Sequence, residues 1–90
     1  MRLSIIDTYD NDLLEVEIAP ENPDEVEEGD HDFLDLCFDF KDELKRSGVS
    51  ILFSHYRRDG KVHKFHFLAH CTPREKELIS RRLKEISMRG

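Results

Sequence analysis

Four of the five histidines fall in one stretch, Val49 to Cys71, and they are the first residues to test for chemistry. A three-residue turn at Arg58-Asp59-Gly60 sets His55 opposite His63, near enough to share a metal ion such as zinc. No third ligand accompanies them, because His66 and His70 then fall on the opposite face of the ribbon. Cys37 and Cys71 are far from a CxxC spacing. The competing reading is that these are ordinary strand histidines, hydrogen-bonded or solvated.

The acids offer a second chemistry. Asp24, Glu25, Glu27, Glu28, Asp30 and Asp32 supply hard oxygen ligands suited to Ca²⁺ or Mg²⁺, so a divalent cation is the one cofactor to test. The segment does not follow EF-hand spacing, since its glycine is displaced and the closing glutamate is absent. Asp7, Asp10, Asp12 and Glu15 form a second acidic group. A third chemistry is basic. Arg57, Arg58, Lys61 and Lys64, joined by Arg81, Arg82 and Lys84, suit phosphates or an acidic partner, and Tyr56 and His66 could stack on bases. No serine or cysteine is spaced as a nucleophile beside a base, and there is no phosphate-binding glycine loop. No enzymatic activity is expected.

The charge is divided along the chain. Of 90 residues 38% are charged, with a net charge of −6, yet residues 1–40 carry −13 and residues 41–90 carry +7. A chain this short forms one domain, residues 1–90, with a thin core, and folding must lay its acidic half against its basic half. No run approaches the ~20 apolar residues of a membrane span. The N-terminus lacks the apolar segment of a signal peptide, and two cysteines are too few for a secreted disulfide framework. These features point to a cytoplasmic setting without a membrane partner.

The elements that must position these groups follow from periodicity. Leu3 to Ile18 reads as a β-hairpin turning at Asp10-Asn11, with Leu3, Ile5, Leu14, Val16 and Ile18 on one face. Residues 19–30 read as a flexible acidic loop interrupted by Pro20 and Pro23. His31 to Ser47 carries Phe33, Leu36, Cys37, Phe40 and Leu44 in one helical stripe, with Gly48 at its C-terminal boundary. Val49 to Cys71 is a second hairpin. Its three-residue turn would gather Val49, Ile51, Phe53, Phe65, Phe67 and Ala69 on one face, and leave Tyr56, Lys64 and His66 on the other. Thr72-Pro73-Arg74-Glu75 is a capping box opening a helix with Leu78, Ile79, Leu83 and Ile86 as its buried stripe.

The order ββαββα implies an α+β two-layer sandwich, a four-stranded antiparallel sheet with two helices on one face. One sheet face is then left to solvent or to a second subunit. The functional expectation is a small, non-enzymatic interaction domain, a homodimer or a piece of a larger assembly. Two alternatives stay open: divalent-cation binding by the acidic segments, and binding of RNA or another single-stranded nucleic acid by the basic hairpin and last helix.

Overall fold

The computed structural model describes residues 2–25 and 32–88. Strands β1 (Leu3–Asp10) and β2 (Leu13–Pro20) are followed by a 3₁₀ turn at Pro23–Glu25 and by helix α1 (Asp32–Arg46). Strands β3 (Ser50–Asp59) and β4 (Val62–His70) follow, then helix α2 (Pro73–Ser87). The four strands form one antiparallel sheet in the order β1-β2-β4-β3, which is the expected α+β architecture. β2 and β4 are central, and β1 and β3 are the edges.

The first hairpin turns one residue later than expected. Asn11 and Asp12 are its two central residues, with φ of 52° and 62°, the left-handed pair that a type I′ turn requires. Tyr9 therefore faces Leu14, and Ile5 faces Ile18. The shift moves each pairing by two residues, so the apolar face survives intact. It also carries Tyr9 to the end of β4, where its hydroxyl donates to the Cys71 carbonyl at 2.8 Å. The Cys71 N–H in turn donates to the Asp12 carbonyl at 2.9 Å, fastening the turn to the chain entering α2. Burial, together with the Asp12 carboxylate, pushes the Tyr9 phenol up to about 12. β2 also continues to Pro20, two residues into the segment expected to be loop.

The second hairpin departs further. Gly60 (φ +62°) and Lys61 make a two-residue turn that closes on Asp59 and Val62. With glycine first, the turn needs only one left-handed residue, which a three-residue turn would instead require last. The register then pairs Arg58 with His63, Tyr56 with Phe65 and His55 with His66. From Phe53 to Arg58 each β3 residue lies on the face opposite to the expected one, and Phe53 and His55 point away from the helices. A bulge at Leu52, between the pairs Ile51–Ala69 and Phe53–Leu68, reverses the alternation again, so that Ile51 returns to the core side.

Helix boundaries follow local chemistry. Gly48 (φ +87°) ends α1 in a Schellman arrangement: its N–H reaches the Lys45 carbonyl and the Val49 N–H reaches that of Leu44, both at 3.0 Å. At α2, Thr72 accepts from the Glu75 N–H while the Glu75 carboxylate accepts from the Thr72 N–H, the reciprocal pair of a capping box. Phe33, Cys37, Phe40 and Leu44 of α1 and Ile79, Leu83 and Ile86 of α2 cover Leu14, Val16, Ile18, Phe65, Phe67 and Ala69 of the sheet. Leu78, expected in the buried stripe, is instead exposed at the outer shoulder of α2. Ser80 Oγ is buried without a hydrogen-bond partner among the described residues. Ser80→Ala removes that uncompensated hydroxyl and improves helix propensity, so it is expected to raise the unfolding free energy by about 1 kcal/mol. Urea unfolding of the two proteins measures it.

Candidate functional site

The corrected register redistributes the residues singled out for chemistry. His63 is buried on the helix side of β4, where the Tyr56 hydroxyl meets its Nδ1. Phe33 packs against both rings, at 6.4 Å from Tyr56 and 6.2 Å from His63. Burial pushes the Tyr56 phenol up, partly offset by the nearby Arg58 guanidinium. His55 lies across the sheet on the outer face, so His55 and His63 do not share a metal ion. The pair expected from sequence is replaced by two others: Tyr56–His63 inside and His55–His66 outside.

Among the acids, Glu27, Glu28 and Asp30 lie outside the described residues, as do the side chains of Glu25 and Asp32. Asp24 is exposed and reaches Lys61 at 3.7 Å. Among the described residues no three His, Cys, Asp or Glu side chains converge as a metal site. Both thiols are buried. Cys37 is pushed up to about 12 by burial, and Cys71 is raised by burial and by Glu75 and Asp12. Both therefore stay protonated near neutrality and are poor nucleophiles.

The basic residues do not form one continuous surface. Arg57, Lys64 and His66 share the outer face of the sheet, with Lys61 at the hairpin tip. Tyr56, expected beside them as a stacking platform, faces the helices. Arg81 and Lys84 lie on α2, on the other side of the molecule. Arg82 bridges the helices: its Nε donates to both oxygens of Glu43 at 3.2 and 3.0 Å, and its Nη1 donates to Glu85 at 3.0 Å. Lys64 reaches Glu17 at 3.6 Å and His66 reaches Glu15 at 3.3 Å, both from β4 to β2. The acidic first half and basic second half thus meet across the β2–β4 seam, while the bridge between the helices joins two residues of the basic half.

Two surfaces remain to be explained. One is a shallow groove of about 240 Å³ between the helices, lined by Leu44, Val49, Leu78 and Ile79 and bounded by Glu43 and Arg82. Ser47 and Glu75 complete its rim, while the Arg82 guanidinium is already engaged by Glu43 and Glu85, so the groove has the character of a packing seam. The other is the outer sheet face with its β3 edge. Leu52 and Phe53, set side by side by the bulge, are 56% and 49% exposed, and Val62 and Ile6 are exposed on the same face. The Phe53 ring stacks on His55 at 6.3 Å and meets His66 edge-on at 5.7 Å. A bulge leaves no mark in hydropathy alternation except two adjacent apolar residues, and Leu52-Phe53 is that mark. No helix among the described residues is long and apolar enough to cross a membrane. Comparison with family models, with curated proteins and with solved structures finds no match for this chain.

Proposed function

We propose that this chain is a small, non-enzymatic, intracellular interaction domain that self-associates through the open edge of β3. The observation that carries the reading is the pair Leu52 and Phe53, exposed on an unpaired ten-residue edge strand. Edge strands of this length with exposed apolar residues are templates for further pairing.

The register says which backbone groups are free to pair. A two-residue turn closes on a mutually hydrogen-bonded pair, here Asp59 and Val62, and such pairs then alternate along the ladder. Arg57 and His55 are spent on β4, while the N–H and C=O groups of Ser54, Tyr56 and Arg58 point to the open edge. A second copy running antiparallel meets these groups with its own. Residues directly opposite share a face, and His55 opposite His55 places Phe53 of each copy against Arg57 of the other. That contact combines burial of the ring with a cation–π attraction. The bulge at Leu52 confines the pairing to the stretch beyond it.

Proline at position 54 tests this arrangement. The Ser54 N–H faces the open edge, so Ser54→Pro removes a donor for the second copy and none for β4. The wild-type chain is expected to sediment above monomer mass at micromolar concentration, and Ser54→Pro as a monomer with unchanged circular dichroism. A wild-type chain that stays monomeric over that range overturns the reading.

A further inference from the structure

The outer-face pair His55–His66 lies in the middle of the sheet's exposed side, and nothing in the packing of the fold calls for it. These residues are direct partners in adjacent antiparallel strands. Such partners hold their Cβ atoms about 5 Å apart on one face. Two imidazoles at that separation can each place a nitrogen about 2 Å from a common point, the distance of a zinc–histidine bond.

Two further observations favour a ligand role over a pair of idle rings. First, Phe53 packs against both imidazoles, at 6.3 Å from His55 and 5.7 Å from His66, which limits the rotamers open to each. Second, the Glu15 carboxylate lies 3.3 Å from His66 Nε2. A carboxylate at that distance favours the hydrogen on Nε2 and the lone pair on Nδ1, the outer-shell influence that sets the tautomer and raises the basicity of metal-ligating histidines. We propose that His55 and His66 bind a divalent first-row ion that favours imidazole, with Glu15 as a positioning residue. Zn²⁺ is the natural probe, with water filling its remaining positions. The buried and protonated thiols of Cys37 and Cys71 do not compete for it. Glu15 and Glu17 on β2 offset the ion's charge, against Arg57 and Lys64 on the same face.

The inference rests on the strand register and not on self-association, and running the same titration in the Ser54→Pro chain separates the two. Zn²⁺ is titrated into the ¹⁵N-labelled full chain while the imidazole nitrogens are followed by NMR. The His55 and His66 signals are expected to move together and saturate, with that of His70 little changed. His55→Ala and His66→Ala are each expected to abolish the saturable response while the backbone spectrum stays folded. Glu15→Gln is expected to weaken binding by about 10-fold or more. Saturable binding that survives His55→Ala, a response centred on His70, or no saturation under excess Zn²⁺ overturns the site. An affinity unchanged in Glu15→Gln overturns the positioning role.

Discussion

Phe67→Ala is expected to cost about 3–5 kcal/mol of unfolding free energy. Phe67 is fully buried at the centre of β4, between Val16 and Ser54 on the flanking strands. Its ring packs at 6.1 Å from Phe40 of α1 and 6.2 Å from Phe65. The surroundings cannot collapse into the space left by the ring. Strands hold it on two sides, and α1 is held by its own contacts with Phe65 and by the Arg82–Glu43 bridge. A domain of this size has a total stability of about 5–15 kcal/mol, so the variant sits near the edge of folding. Urea denaturation measures the loss, with Phe53→Ala as the control. Phe53 lies on the outer face, and its truncation is expected to change the monomer's stability by no more than about 0.5 kcal/mol. Equal losses in the two variants would contradict the assignment of Phe53 to the solvent side.

The second large effect concerns the buried polar pair. Tyr56→Phe keeps the ring against Phe33 but takes the hydroxyl from His63 Nδ1, leaving a buried nitrogen without its partner. The expected cost is about 1–3 kcal/mol, more than the net worth of the hydrogen bond itself. The asymmetry gives a sharper check. Replacing both partners by rings of similar shape, Tyr56→Phe with His63→Phe, removes the orphaned group, and the double variant is expected to recover at least half of the single variant's loss. A double variant less stable than Tyr56→Phe alone would show that His63 has another buried partner, or that the space around it does not admit a benzene ring.

The sequence reveals the fold class because apolar spacing and end signals agree. Phe33, Cys37, Phe40 and Leu44 share a helical face, Thr72-Pro73-Arg74-Glu75 caps a helix, and Gly48 stops one. Hairpin registers are another matter. Moving the first turn from Asp10-Asn11 to Asn11-Asp12 leaves the same residues inside, so hydropathy could not choose between the two. The choice is made by tertiary contacts, the bonds from Tyr9 and Asp12 to Cys71, which no local pattern displays. In the second hairpin, alternation favours an unbroken face through Ile51 and Phe53. The bulge defeats that reading, because it lets Ile51 and Tyr56 both face the helices although their spacing is odd. The histidine pairs inherit the error directly: a register three residues away moves the partner of His55 from His63 to His66. The adjacent Leu52-Phe53 was the visible hint.

The helices do not sit over the strands that precede them in the same half of the chain. α1, from the acidic half, lies against β3, and α2, from the basic half, lies against β1. A chain opened at Gly48 would give two ββα pieces carrying −12 and +6, each with a helix whose cover belongs to the other piece. Neither can complete a core alone, and opposite charge draws them together at low ionic strength. In folding terms each hairpin can form locally, whereas the β2–β4 seam and both helix dockings wait on one encounter between the halves. The molecule is therefore built as an obligate heterodimer of two half-domains that happen to be joined end to end, with Gly48 at the joint.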